Sequence, residues 1–286
     1  MKKQFVVQIS MMILSMPISS TLAQGPPINT DTPILLGVSG AGARSFVKVI
    51  RKSSQDKDLT VTVSPVVIPY NVSTRLLVGG IFPYFNKDLD TKAGSMRSSG
   101  LGDTELFAKY VVHQIDKRQE TIRFVLKSSV TLPTGDEDAN PALGDGTTDY
   151  SFGVVAGWIK PRVSLTTEGV YSLNTSRRGT NYGDSFSYNV ALGYRLSPRV
   201  YERYPSPQLN VYLELNGIST MRDELKGLKL ENSGGTTLLL SPGVQYIGGR
   251  RWLVEGSLQF PIVENLNGSQ LETDIIVSLG ARILLF

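Results

Sequence analysis

The segment from Thr121 to Leu132 limits the fold of this chain more than any other stretch does. Its side chains alternate between apolar and polar, and the apolar members are Ile122, Phe124, Leu126, Val130 and Leu132. A period of two is typical of a β-strand with one apolar and one polar face. Such a strand fits a soluble sandwich as well as a membrane barrel, so the connections between strands must decide the fold.

About twelve candidate strands follow residue 43, each long enough to cross a bilayer when tilted. They lie near residues 43–52, 59–70, 74–85, 102–114, 120–132, 147–160, 162–173, 185–196, 208–218, 236–247, 250–262 and 274–286. Their connections alternate between short and long, as in a barrel with tight periplasmic turns and longer outer loops. The predicted fold is therefore all-β, an antiparallel transmembrane β-barrel of about 12 strands. A soluble periplasmic sandwich is the alternative.

Charged residues avoid the apolar face in the clearest strands, as lipid requires, because Arg or Lys at the bilayer midplane costs about 2 to 4 kcal/mol. The charges fall on the inward face instead. The pore-lining candidates are Glu105, Lys109, Arg123, Lys127, Glu168, Arg195, Glu214, Glu255 and Arg282. Two interpretations stay open: a polar constriction that selects permeants by charge and size, or a salt-bridged interior that fills the barrel.

Composition excludes several classes of protein. The chain has no cysteine, which rules out disulfides, thiol catalysis and thiolate zinc sites. The mature region has no apolar run of the roughly 20 residues that a membrane-spanning helix needs. The formal charge of +4 is too weak to indicate a nucleic-acid partner.

The first residues predict export. Lys2 and Lys3 precede a mostly apolar stretch, and Thr21-Leu22-Ala23 offers the small residues that a signal peptidase reads. We therefore predict a signal peptide over residues 1–23, an extended arm over 24–42 and an outer-membrane β-barrel over 43–286. The glycines between residues 37 and 42 lack the following helix that a nucleotide-binding loop requires.

The last strand predicts the partners. The chain ends at Phe286, and a C-terminal aromatic on a closing strand resembles the signal that outer-membrane barrels present to the barrel assembly machinery. Lipid and lipopolysaccharide of the outer membrane are the other expected partners, together with a small-molecule permeant of unknown identity.

Several short motifs occur in a fixed order along the chain. They are Ser99-Gly-Leu-Gly-Asp103, Lys109-Tyr110, Leu132-Pro-Thr-Gly-Asp136, Leu143-Gly144, Thr148-Asp-Tyr-Ser-Phe-Gly153, Leu192-Gly-Tyr-Arg195 and Ser241-Pro-Gly-Val244. Together they resemble the outer-membrane transporter family named after the meta-pathway of phenol degradation, most strongly from Gly100 to Gly153. The resemblance implies a β-barrel in the bacterial outer membrane and uptake of small, often aromatic or apolar compounds. It supplies no site residues.

The residues suggest a calcium loop and a hydrolytic site, and the sequence favours neither. Asp136, Asp138 and Asn140 have the spacing that opens a calcium loop, but Pro141 and Thr147 stand where that loop needs Gly and Glu. His113 is the single histidine, so a hydrolytic barrel with a Ser and His pair must use it. Its place near the periplasmic end of its strand argues against that chemistry, and no cofactor or metal is predicted.

The favoured function is a channel or facilitator for diffusion of small molecules through a polar-lined barrel. The loops at residues 86–101 and 219–235 are long enough to fold inward as a gate. The first alternative is an occluded barrel with a structural or adhesive role and no transport. The second is an outer-membrane hydrolase.

Overall fold

The computed structural model describes residues 25–37, 39–200 and 206–285. Within these ranges, no helix is long and apolar enough to span a membrane. The predicted signal peptide, residues 1–23, and the terminal Phe286 lie outside the described residues.

Twelve antiparallel strands close into a barrel, as predicted. They are β1 (Gly42–Ser54), β2 (Lys57–Asn71), β3 (Leu76–Thr91), β5 (Thr104–Lys117), β6 (Glu120–Leu132), β7 (Asp149–Ile159), β8 (Val163–Leu173), β11 (Ser185–Ser197), β12 (Gln208–Thr220), β15 (Gly235–Ile247), β16 (Trp252–Leu266) and β17 (Glu272–Leu284). Each strand pairs with its neighbours in the chain, and β1 pairs with β17 to close the ring. Closure removes the open sheet edges that a bilayer does not tolerate.

Five further strands extend the hairpins at one end of the barrel. They are β4 (Gly94–Leu101), β9 (Ser176–Arg177), β10 (Thr180–Asn181), β13 (Glu224–Leu225) and β14 (Leu228–Lys229). This end, with the long connections, is called the loop end, and the opposite end is the turn end. The prediction of a loop over residues 86–101 is wrong, because β4 pairs with β3 from Tyr84 to Thr91.

The two faces of the barrel wall differ as alternation predicts. On β11, Phe186, Val190 and Leu192 point outward and are exposed, whereas Ala191 and Arg195 point inward and are buried. Exposed large apolar side chains recur on the outer face of eleven of the twelve barrel strands. On β1, Val47 is the one large apolar side chain that is exposed, at 47%. An apolar outer surface of this kind is what the hydrocarbon core of a bilayer requires.

A β-bulge changes the face of the single histidine. The β5–β6 register shifts between Val111 and His113, so His113 pairs with Phe124 on the outer face. Their ring centroids are 6.2 Å apart. Strict alternation would place His113 on the inward face with Glu105 and Lys109. It fails at this position because one extra residue in a strand moves every later side chain to the other face.

The segment that precedes β1 lies inside the ring. Residues 25–37, called the arm, form no strand or helix. The arm begins near β12 and β15, where the Gly25 carbonyl accepts a hydrogen bond from Tyr212. It ends near the turn that joins β2 to β3, where the Leu36 carbonyl accepts one from Asn71. The arm therefore crosses the lumen before the first strand begins.

Candidate functional site

One carboxylate on β12 holds the centre of the arm. Glu214 is 1% exposed. Its Oε1 accepts the backbone N–H of Ile28 at 2.8 Å, and its Oε2 accepts both the N–H and the hydroxyl of Thr30 at 2.7 Å. The Asn29 N–H lies 3.1 Å from each oxygen. A buried charge is tolerated when its lone pairs are filled in this way. The arm backbone thus fills the acceptor sites of the Glu214 carboxylate, and Glu214 accepts the hydrogen bonds of the arm's N–H groups.

A second carboxylate, on the arm itself, joins three strands. Asp31 accepts a hydrogen bond from Lys109 on β5 at 2.7 Å and lies 3.2 Å from Lys127 on β6. Its backbone N–H donates to Glu168 on β8 at 3.1 Å, and Lys127 also bridges to Glu168 at 3.2 Å. Lys109, Asp31, Lys127 and Glu168 alternate in charge, and Glu105 on β5 also acts on Lys127, so the arm brings a further carboxylate to a cluster of mixed charge.

A third cluster lies on β16, β17 and β1. Glu255 Oε1 accepts hydrogen bonds from Arg44 Nε at 3.0 Å and Arg282 Nε at 2.9 Å. The same two arginines also donate to arm carbonyls, those of Ile28 at 2.6 Å and Pro27 at 2.5 Å. Each guanidinium therefore connects the barrel wall with the arm through its fork of donors.

The inward faces of β8, β11, β12, β15 and β16 are here called the polar wall. Besides the charges, the polar wall carries hydrogen-bonded amides and hydroxyls. Asn216 donates to Asn189 at 3.1 Å, and Ser241 donates to Asn216 at 2.7 Å. Gln245 donates to the Pro26 carbonyl at 2.9 Å and to Glu255 at 3.0 Å. These bonds tie the arm and the wall into one network.

The inward faces of β2, β3 and β5 are different and are called the apolar wall. Their side chains include Val63, Val67, Leu77, Ile81, Phe85, Phe107 and Val111. At the turn end, Leu77 and Val111 form a buried cluster with Val125 on β6, Val155 on β7 and Leu35 of the arm. The arm is therefore bonded to the polar wall by many polar contacts, whereas on the apolar wall it rests through Leu35 and is bonded to Lys109 and Asn71.

A cavity of about 550 Å³ borders the arm, the apolar wall and the turn-end parts of β8, β12, β16 and β17. Its apolar lining includes Leu35, Phe46, Val67, Leu77, Ile81 and Phe107. Its charged lining residues are Asp31, Arg44, Glu105, Lys109, Lys127, Glu168, Arg250, Arg251 and Arg282. The volume is in the range typical of sites for small molecules, and the lining combines an apolar side with a charged one.

One aspartate fastens the loop of residues 133–148 at the loop end. Asp103 accepts the N–H of Gly135 at 2.8 Å and that of Asp145 at 3.0 Å. A β-carbon on Gly144 would lie 2.5 Å from the Asp103 carboxylate, so only glycine fits there. This arrangement, called the Asp103 clasp, places the buried Leu143 against Gly100 on the inner side of the β3–β4 hairpin.

Comparison with known proteins assigns the family. The model of the family described as "Putative MetA-pathway of phenol degradation" matches residues 55–264. This chain belongs to that family. No protein of curated function matches the sequence.

Two solved structures share the fold. An outer membrane channel from Pseudomonas putida F1 superposes with a TM-score of 0.69 at 13% identity, covering 91% of this chain and all of that one. The β domain of the Bordetella autotransporter BrkA gives 0.50 at 14% identity, covering 86% of this chain and 99% of that one. The protein is therefore an outer-membrane β-barrel of the phenol-degradation family.

Three of the seven family motifs meet at the Asp103 clasp. Asp103 ends the first motif, Gly135 lies in the third, and Leu143-Gly144 is the fourth. Their glycines allow close backbone approach around one carboxylate. These three motifs therefore describe how the loop end is built.

The structure places all nine predicted pore-lining residues on the inward face. Lys109, Lys127 and Glu168 meet at Asp31, Glu214 holds the arm backbone, and Glu255 meets Arg282. Glu105 borders the cavity. Arg195 is buried at 2% exposure, and Arg123 lies 3.7 Å from Asp116 toward the turn end. That these side chains line the path of a permeant stays a prediction.

The three residues with calcium-loop spacing are bonded to other groups. Asp136 accepts the backbone N–H of Asp138, whose carboxylate pairs with Arg178 at 2.7 Å. Asn140 donates to the sulfur of Met96. In the part of the chain that the structure describes, no group of three or more acidic or histidine side chains is arranged to hold a metal.

Sequence reasoning missed the role of the arm and the apolar wall. The arm, with its prolines and polar residues, lacks any periodic signal, so its position depends on tertiary contacts. A signal for the apolar wall was present: Leu59, Val61, Val63, Pro65 and Val67 alternate with Thr60, Thr62 and Ser64 on β2. That apolar face points inward, opposite to the face that lipid contact predicts.

Proposed function

We propose that the protein is a passive channel for small molecules, and that its permeants are apolar or aromatic compounds that move between the arm and the apolar wall. The observation that carries this proposal is the cavity of about 550 Å³ beside the arm. Family membership agrees with it. The channel works by diffusion, without a catalytic step.

The shape of the lumen favours such permeants over hydrated ions. The arm lies along the polar wall and the neighbouring strands β17 and β1, where its N–H groups are bonded to Glu214 and its carbonyls to Arg44 and Arg282. The space that is left open borders Phe107, Ile81 and other apolar side chains. An apolar solute that leaves water for this space gains about 25 cal/mol per Å² of buried surface, whereas a hydrated ion gains nothing comparable.

Uptake by whole cells tests the proposal. A Gram-negative host with intact lipopolysaccharide, which slows unaided entry, is supplied with a radiolabelled monocyclic aromatic hydrocarbon. We expect cells that express the protein to take up the label faster than vector controls. The variant Ile81→Asn, which puts an amide into the cavity, should lose most of that gain.

The matched control places the same side chain on the other wall. Ser187→Asn adds an amide to the inward face of β11, which is already polar, and should leave uptake unchanged. Folding of every variant is followed by heat-modifiable migration on gels. Equal loss in both variants would mean that the apolar wall is not the route.

An occluded barrel with a structural role is the second candidate, because the arm fills the polar wall with paired charges. It predicts uptake equal to the vector control in cells whose outer membrane holds the folded protein. The hydrolase hypothesis predicts that His113→Ala changes function; on the channel proposal this variant behaves as the unmutated protein, since His113 lies outside beside Phe124.

Two partners are also proposed. The exposed apolar residues on the outer wall, such as Leu192, Leu213 and Phe152, suit contact with outer-membrane lipid and with the acyl chains of lipopolysaccharide.

A further inference from the structure

A small pocket lies in the barrel wall behind the arm. Three cross-strand rows on β16, β17 and β1 define it. The lowest row is Leu253, Arg282 and Arg44; the middle row is Glu255, Gly280 and Phe46; the upper row is Ser257, Ser278 and Lys48. The centre of this patch is small, because Gly280 has no side chain and Ser278 has a short one. Arm residues Ile28 and Asn29 cover it.

The pocket is rich in positive charge. Arg44 and Lys48 both line it, together with the single carboxylate of Glu255. Three donors already occupy Glu255: Arg44 and Arg282 donate to its Oε1, and Gln245 donates to its Oε2. Within the described residues, no carboxylate pairs with the Lys48 ammonium, which lies 5.8 Å from the centroid of the Phe46 ring.

A hydroxyl without a partner borders the same pocket. Ser278 is 7% exposed, and its Oγ is buried with no hydrogen-bond partner among the described residues. A buried polar group in this state costs free energy unless a ligand or water binds to it. Ser257 does not compete for it, because its hydroxyl is bonded to Asn29 at 3.3 Å.

The size of the pocket suits a few atoms. Its volume is about 60 Å³, against about 10–15 Å³ for one water measured in the same way. A halide ion or a carboxylate group fits; a phosphorylated sugar or a nucleotide does not.

We propose that this pocket binds a small anion of single negative charge. The Lys48 ammonium, the Ser278 hydroxyl and the Arg44 guanidinium hold it. The anion gives Lys48 a direct ion pair, which it lacks within the described residues; the Glu214 carboxylate attracts it without contact. Two sources share this chemistry: free chloride, and the carboxylate of an aromatic acid.

The Phe46 ring can contact the ring of an aromatic acid whose carboxylate is in the pocket. The Phe46 ring borders both the pocket and the large cavity. A benzoate-like permeant can therefore place its carboxylate near Lys48 while its ring stays beside Phe46 on the cavity side. This second part rests on the proposed function, and it adds aromatic acids to the permeants.

Crystals grown with bromide in place of chloride test the site without any transport. We expect an anomalous bromide peak within about 3.5 Å of Lys48 Nζ and Ser278 Oγ, the range of a polar contact. The peak should be absent in Lys48→Gln, which keeps the length of the side chain but not its charge. A bromide-free pocket in the unmutated protein would overturn the proposal, whatever the transport assays show.

Chloride NMR line broadening on the detergent-solubilised protein gives the affinity. Lys48→Gln and Ser278→Ala should each weaken binding, with a loss of about tenfold or more for the charge. Lys57→Gln, which removes an exposed charge at the loop end, is the matched control and should leave the line width unchanged. Equal broadening in all four proteins would show surface association only.

Competition separates the two sources. Benzoate should displace chloride from the unmutated protein at lower concentration than acetate does, because the ring adds contacts along Phe46. Equal displacement by benzoate and acetate would leave a chloride site and remove aromatic acids from the permeants. A failure of hydrocarbon uptake with bromide still bound would remove the channel proposal and leave the anion site.

Discussion

The two walls of the lumen treat the same arm in different ways. Along the polar wall, Glu214 and Glu255 have lone pairs that must be filled, and the arm and neighbouring side chains supply the donors. Along the apolar wall, Ile81 and Phe107 demand no partner, and the cavity remains. Hydrogen bonds to the polar wall therefore fix most of the arm. On the apolar wall Lys109 bonds to the arm as well, and space for a permeant is left beside the apolar side chains.

Deletion of residues 25–36 should have the largest effect on this asymmetry. Without the arm, water can enter the polar wall and ions can follow, so we expect single-channel conductance in planar bilayers to rise several-fold. Replacement of the same residues by a glycine and serine segment of equal length is the control for chain length, and it should resemble the deletion. Unchanged conductance in both would mean that the arm is not the obstruction.

Asp31→Ala should come next. It leaves Lys109, whose side chain is 5% exposed, without its carboxylate, and breaking a buried pair of this kind costs about 3–5 kcal/mol unless the arm moves away. Guanidinium unfolding in lipid vesicles measures the loss. Asp138→Ala, which breaks an exposed pair with Arg178, is the control and should leave the unfolding midpoint nearly unchanged, because solvent screens exposed ion pairs. Similar losses in the two variants would mean that the cluster around Asp31 is well hydrated.

Leu35→Ala tests the apolar side of the arm. Leu35 is 8% exposed in the cluster with Leu77 and Val125, and truncation of a buried leucine costs about 2–5 kcal/mol. We expect the low end of that range, because the cavity beside it can take up the change. The exposed Val72→Ala should stay within about 0.5 kcal/mol. If Leu35→Ala raises conductance as much as the arm deletion does, the apolar contact holds the arm, and the contrast between the walls fails.

The smallest effect is expected outside both walls. Arg177 donates to Glu137 in the loop of residues 133–148 and holds the pKa of that carboxyl below its usual value of 4.5. Because the folded pKa is depressed, this contact stabilises the loop above pH 4.5 and is lost as the pH falls further. Hydrogen exchange of the loop should accelerate on that acidification.

The Glu137→Gln variant is the control for the pH effect. It should remove the part of the loop's pH dependence that comes from Glu137. Hydrogen exchange in β11 and β12 should stay unchanged. Acceleration in those strands as well would indicate loss of the whole fold rather than of one ion pair.

Alternation predicted the barrel well because each wall residue has only two faces to choose from. β6, from Glu120 to Leu132, has the bounds that the pattern indicates, and the nine inward charges fall on the predicted face. Alternation failed at His113, where a bulge inserts one residue, and on β2, where apolar side chains face inward. It had nothing to say about Asp31, because a segment without periodicity is positioned by partners that are distant in sequence.

The Asp103 clasp limits what family membership can indicate about the solutes of each member. The matched range, residues 55–264, includes all of the clasp, but it leaves out the arm, Lys48 and Ser278. Two members can therefore share the glycine motifs, and hence the way in which their loop end is built, while differing in the arm and in the anion pocket. A comparison of members that is meant to predict which compounds each one admits must include the residues before Gly42 and after Leu266 as well as the apolar wall.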